Sequence, residues 1–141
     1  MELARQPKNA TKLLDEFSDI VGKLADESRH GIPIIVEGKR DEEALRRLGI
    51  NGEIILMKSI RGLRRRLENR NLRRIILLLD LDNEGERLLK LLKKSLEGVV
   101  REIDVTYWKK LRVIKKMGFT EIESMHLFLR KLQHHLHDLP P

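Results

Sequence analysis

The sequence predicts an α/β fold: a mostly parallel four-stranded sheet flanked by helices, with an N-terminal helix before it and C-terminal helices after it. Three observations carry this. Short aliphatic runs alternate with stretches of helical period. The runs are unbroken, as in strands buried on both faces of a parallel sheet. The longest, Ile75-Ile-Leu-Leu-Leu79, ends abruptly in Asp80-Leu-Asp82-Asn-Glu84-Gly85-Glu86, a strand-to-helix junction.

Residues 1–8 read as a loose arm. From Thr11 to Ser28, Leu13, Phe17, Ile20, Val21 and Leu24 recur at helical spacing, and Gly31 suits the helix end. Ile32–Val36 is the first strand, with Pro33 near its start, where a strand tolerates proline. Asp41 then opens a helix carrying Ala44, Leu45 and Leu48 and stopped by Gly49. Asn51-Gly52 turns the chain into a second strand, Glu53–Met57. Ser59 caps a third, basic helix that points Ile60, Leu63 and Leu67 inward and Arg61, Arg65 and Arg66 outward. Ile75–Leu79 is the third strand, Arg87–Leu96 a leucine-rich helix, and Val99–Ile103 the fourth strand.

Beyond it, Trp108, Leu111 and Ile114 share one helical face among Lys109, Lys110, Arg112, Lys115 and Lys116. Gly118 interrupts that helix, and Thr120 with Glu123 forms a capping box for another reaching about His135. His134, His135 and His137 read as a frayed tail rather than a metal tract. The expected division is an arm and helix over 1–31, the sheet domain over 32–104 and a helical extension over 105–141, all one compact unit.

Composition narrows the function. Of 141 residues 40% are hydrophobic, enough for a core, and none is Cys, which excludes disulfides and thiolate chemistry. No apolar run is long enough to cross a membrane and no charged-then-apolar leader opens the chain, so a soluble, cytoplasmic protein without a membrane partner is expected. The net charge of +7 is concentrated: Lys58 to Arg74 holds eight Lys or Arg and one Glu. Such clustering is the footprint of a nucleic-acid partner, although a solvated helix face reads the same way.

The acids carry the chemistry. Asp80 and Asp82, two apart in extended backbone, point the same way, and like charges that close call for a cation between them. Magnesium suits carboxylate oxygens and keeps waters that a phosphate displaces. The bland alternative is an acidic loop capping the next helix. Glu37, after the first strand, sits at a second strand end, and ends of nearby parallel strands converge on one edge, where ligands bind.

Val36-Glu37-Gly38-x-x-Asp41-x-x-Ala44-Leu45, followed by Leu79-Asp80-x-Asp82-x-x-Gly85-Glu86, resembles the Toprim domain of topoisomerases, primases and several nucleases. The resemblance covers about Ile32 to Asp104 and is nearest to the small stand-alone Toprim proteins of archaea. It implies a Toprim-like fold, with Glu37 as general acid/base and metal ligand and with Asp80 and Asp82 holding magnesium. Asp41 and Glu84 are candidates one layer out from the ion, and Gly38 and Gly85 match glycines that let the backbone turn tightly. The only tyrosine, Tyr107, lies outside the motif, and the chain has no room for a strand gate, so topoisomerase activity is not expected. Nor is primase activity, for want of a zinc-binding segment.

Independently of the family, phosphodiester chemistry needs metal to neutralise phosphate and a group to move protons. Two magnesium ions about 3.5–4 Å apart, or manganese in their place, would do the first, and Glu37 the second. Lys39, Arg61, Arg65 and Arg66 are the expected nucleic-acid contacts. With aromatics at 4%, recognition should run through backbone and shape, not base stacking. The expected function is therefore a magnesium-dependent nucleic-acid-binding protein acting as a nuclease or in RNA processing. RNA is placed ahead of DNA because minimal Toprim modules resemble ribosomal-RNA processors. The alternative is a non-catalytic RNA- or DNA-binding module that uses bound magnesium to contact phosphates. A nucleotide-binding regulator is disfavoured by the lack of a G-x-x-x-x-G-K-[ST] loop.

Overall fold

A computed structural model describes residues 7–115. The side chain of Leu13, residues 1–6 of the arm, Lys116 and every expectation past it, including the Thr120 capping box and the histidine tail, lie outside the described residues, whereas Pro7 and Lys8, expected in the arm, already belong to the first helix. The elements run α1 (Pro7–Arg29), β1 (Ile34–Val36), α2 (Lys39–Arg47), β2 (Ile54–Leu56), α3 (Ile60–Leu67), β3 (Arg74–Leu77), α4 (Asn83–Leu96), β4 (Glu102–Asp104) and α5 (Thr106–Ile114).

The four strands form one sheet in the order β2-β1-β3-β4, and every pairing is parallel. Unbroken aliphatic runs dictate this: Ile34, Ile35, Val36 and Ile75 through Leu79 have no exposed surface, so both sheet faces must be covered. Right-handed crossovers place α2 on one face and α3 and α4 on the other. Accordingly α3 packs on α4, while α5 lies on β3 with α1 against it. Phe17, Ile20, Val21 and Leu24 of α1 and Tyr107, Trp108, Leu111 and Ile114 of α5 join the strand residues in one continuous core.

The local signals mostly resolve as the sequence predicts. Ser59 caps α3, its side chain accepting the Gly62 N–H at 3.1 Å. Gly49, at φ +93°, ends α2 in a left-handed conformation. The fourth strand is the exception. Val99 and Val100 read as its start, but the chain is still turning there around Gly98 at φ +86°. Val100 is buried from this turn and makes only an isolated bridge to Glu97, so β4 begins at Glu102. Burial of β-branched residues, not strand pairing, explains the pattern.

Arg74, at the head of β3, ties α1 to the far strand. It pairs with Glu27 of α1 and with Asp104, and at 3.3 Å with Glu102. Asp104 is 6% exposed, and its other carboxylate oxygen accepts the Thr106 N–H and hydroxyl at 2.7 and 2.6 Å, starting α5. The Tyr107 hydroxyl donates to Glu27. Burial, with the negative charge of Asp104 adding to it, pushes the Tyr107 phenol up from its ordinary value.

Candidate metal and nucleic-acid site

β1 hands the chain to β2 on one side, and its neighbour β3 hands it to β4 on the other. The carboxyl ends of β1 and β3 thus flank the topological switch point, where open α/β sheets bind ligands. Glu37 and Asp80 stand there together. The Asp80 N–H donates to Glu37 Oε2 at 3.0 Å, a bond joining residues 43 apart in sequence.

The rest of the acidic motif is held by its own backbone. Asp82 is the N-cap of α4 and accepts the Gly85 N–H at 2.7 Å, so the helix-capping reading is true of this residue. Leu81 is fully buried between the two aspartates. A Cβ on Gly85 would collide with the Asp80 carbonyl, which makes glycine obligatory at that point. Gly85→Ala is therefore expected to push Asp80 away from Glu37. The overpacking cost is about 1–3 kcal/mol, read as a lowered Tm together with weakened divalent-ion affinity. Gly38 differs: its backbone is extended (φ −148°) and an added Cβ would meet only Asp41 Oδ2, at 4.0 Å, so no tight turn demands it.

The two candidates one layer out are held by local bonds. Asp41 is buried and accepts the Gly38 N–H at 2.9 Å, which fixes the turn that carries Glu37. Glu84 faces solvent and pairs with Arg87 at 2.5 Å; that guanidinium holds its carboxyl below the usual range.

The donor set has the right chemistry for magnesium. Its donors are hard carboxylate oxygens, and Glu37 and Asp82 each keep a second oxygen beyond the one bonded to a backbone N–H. As the side chains stand, however, no group of three or more His, Asp or Glu is gathered tightly enough to hold an ion among the described residues. Of the expected three-carboxylate convergence, Glu37 stands against the Asp80 backbone at one edge, while Asp82 is turned to its capping bond.

The basic segment also divides. Arg61 and Arg65 are exposed and have no hydrogen-bond or ion-pair partner among the described residues. Arg66, expected beside them as a phosphate contact, instead donates to the Leu56 and Met57 carbonyls at 2.7 and 2.9 Å, closing the end of the edge strand. Arg64 donates to the Ser95 carbonyl, Arg70 grips Glu53 with two bonds of 2.7 Å, and Arg74 belongs to the α1–β4 cluster. Half of the eight cations thus serve the fold. Lys39 is exposed and pairs with Glu42 at 3.4 Å.

Sequence reasoning missed two residues that touch the motif. The Trp108 indole N–H donates to the Asp80 carbonyl at 3.0 Å. Arg112 lies 5.2 Å over the Trp108 ring and bonds Glu86 at 2.5 Å and Asn83 at 2.8 Å. A Trp-x-x-x-Arg spacing on one helix was the available signal, since residues four apart meet. What the pair touches had no signal.

With this geometry established, comparison with known proteins is direct. A UPF0292 protein of Thermococcus kodakarensis is 32% identical over 124 residues, spanning 87% of this chain and 86% of that one. Another, from Pyrococcus abyssi, is 38% identical over 98 residues, 69% of this chain and 74% of its own. These are small archaeal proteins, as the resemblance implied. Among solved structures, a putative protein from Aquifex aeolicus matches with a TM-score of 0.62 and 29% identity, covering 76% of this chain and 95% of that one. The family model described as Toprim domain matches residues 32–122, from the lead-in to β1 through α5 and beyond. The chain belongs to the Toprim domain family.

Proposed function

We propose that this protein binds nucleic acid through magnesium held at the β1–β3 edge and acts on phosphodiesters in the cytoplasm, as a nuclease or RNA-processing factor, with RNA preferred. The observation that carries the reading is the bond between Asp80 N–H and Glu37 Oε2. It fixes the Glu37 carboxylate from the end of β1 against the backbone of Asp80 at the end of the neighbouring β3, at the switch point of the sheet. Glu37, Asp80 and Asp82 would hold the metal, one ion or two. Magnesium, or manganese, supplies charge neutralisation for a phosphate and waters that the phosphate can displace. Glu37 takes or gives a proton at the oxygen that Asp80 N–H leaves open. Exposed Arg61 and Arg65 offer phosphate contacts along α3. No helix among the described residues is long and apolar enough to cross a membrane.

One observation favours the second reading, a binding module whose magnesium only bridges protein and phosphate. The carboxylates are not gathered into a three-ligand cluster, and such a bridge needs fewer protein ligands than a two-ion clamp.

The site is tested with Asp80→Asn combined with Asp82→Asn. Asparagine caps helices as well as aspartate does, so α4 should keep its start. Calorimetry is expected to show magnesium binding abolished, with the metal-free Tm unchanged or slightly raised by relief of charge repulsion. Unchanged magnesium affinity would place the ion elsewhere and end both readings.

A further inference from the structure

A cavity of about 480 Å³ opens between α5 and the first turn of α4, lined by Glu86, Trp108, Lys109, Arg112, Val113 and Lys115. We infer that this cavity is a phosphate subsite for the nucleic-acid strand, and that the strand leaves the carboxylate edge across α5. This deepens the function proposed above and rests on it.

Charge is sorted along α5. Three cations line the cavity against one carboxylate, Glu86, and Arg112 already engages that carboxylate at 2.5 Å. Lys109 and Lys115 have no hydrogen-bond or ion-pair partner among the described residues. The neighbouring Lys110 turns instead to a cavity it shares with Glu16 and Asp19 of α1, where its charge is offset. An uncompensated pair of lysines beside a fixed guanidinium is an anion site.

Its position argues for a strand rather than a free anion. Arg112 bonds Asn83 and Glu86, and Trp108 bonds the Asp80 carbonyl, so the cavity wall and the metal-bearing turn are one connected piece. A polymer with one phosphate at Glu37 and Asp80 would lay its next phosphates along this wall. Arg112 is held by Asn83 and Glu86 and by the indole beneath it, so little side-chain entropy is lost on binding. Val113, 70% exposed on the rim, presents an apolar surface to sugar. Arg64 and Arg66 of α3, and Arg70 just beyond it, are spent on carbonyls and on Glu53, which leaves Arg61 and Arg65 there.

The experiment compares full-length wild type with Lys109→Gln/Lys115→Gln and with Arg61→Gln/Arg65→Gln. Binding of a labelled RNA hairpin and of a DNA duplex is measured across a salt series, with emission of Trp108, the only tryptophan, as a second readout. The lysine variant is expected to flatten the slope of log K against log salt by about 1.4–1.8 units, at ~0.7–0.9 per lost phosphate contact. The change in Trp108 emission on binding should also disappear in that variant and persist in the arginine variant. An unchanged slope with the lysines removed, alongside a flattened slope in the arginine variant, would put the strand on α3 and overturn the subsite alone. Failure of the wild type to bind either probe would overturn the proposed function and the subsite with it.

Discussion

Glu37→Gln is expected to remove phosphodiester turnover while leaving nucleic-acid affinity in place. The substitution keeps the shape of the side chain, and the glutamine carbonyl can still accept the Asp80 N–H that now meets Glu37 Oε2 at 3.0 Å. The strand ends stay joined, so a fall in rate would not reflect a loosened fold. What disappears is a negative charge and a proton-exchanging group. Loss of general acid/base help alone costs ~10²–10⁴-fold, and weakened metal binding adds to that. Affinity should persist because the proposed phosphate contacts lie on α3 and α5, away from Glu37. The measurement is cleavage of labelled structured RNA, single-stranded RNA and duplex DNA in magnesium and in manganese, with binding followed in parallel. Cutting by wild type that the variant lacks supports the enzyme. Equal cutting by both proteins would point to a contaminant, and wild-type binding without cutting would leave the binding module.

The largest expected effect on stability lies at Arg74, far from any ligand. Arg74→Met removes the cation that Glu27, Glu102 and Asp104 share. Asp104 is 6% exposed, so its charge has little access to water once the guanidinium is gone. Breaking a buried pair from one side costs about 3–5 kcal/mol. The lower end is expected here because Glu102 is largely exposed, and a Tm lower by roughly 10 °C is the readout. Adding Asp104→Asn should recover part of the loss, because the stranded charge is then removed. A loss below about 1 kcal/mol in the single variant would mean that solvent screens the cluster like an ordinary surface pair.

The sequence was most legible where a signal is local. The Ser59 cap, the periodicity of α1 and α5 and the acid-terminated run Ile75–Leu79 each depend on residues within a few positions. The placement of Glu37 beside Asp80 was legible too, because strand ends in parallel sheets share an edge. Less legible was anything whose partner is a backbone group or a distant charge. Arg66 looks like a surface cation in the sequence, and only the fold reveals the Leu56 and Met57 carbonyls that it closes. The same is true of Trp108, read as core and found bonding the Asp80 carbonyl 28 residues away. Val99 and Val100 show a different limit: apolar residues mark burial, and burial from a turn looks like burial from a strand.

The packing of α1 against α5 sets the order in which the molecule can form. Phe17 and Leu24 are fully buried, yet part of what covers them arrives only with α5, as the bond from Tyr107 to Glu27 across 80 residues shows. During synthesis α1 must wait, its apolar stripe uncovered, until β4 has been added and α5 emerges from the ribosome. Contacts closing so long a loop slow folding, and the exposed stripe is a site for chaperone capture or for pairing between nascent chains. Helix α1, made before the whole sheet, is thus secured only after it, and its dwell time in the open state follows the rate of translation.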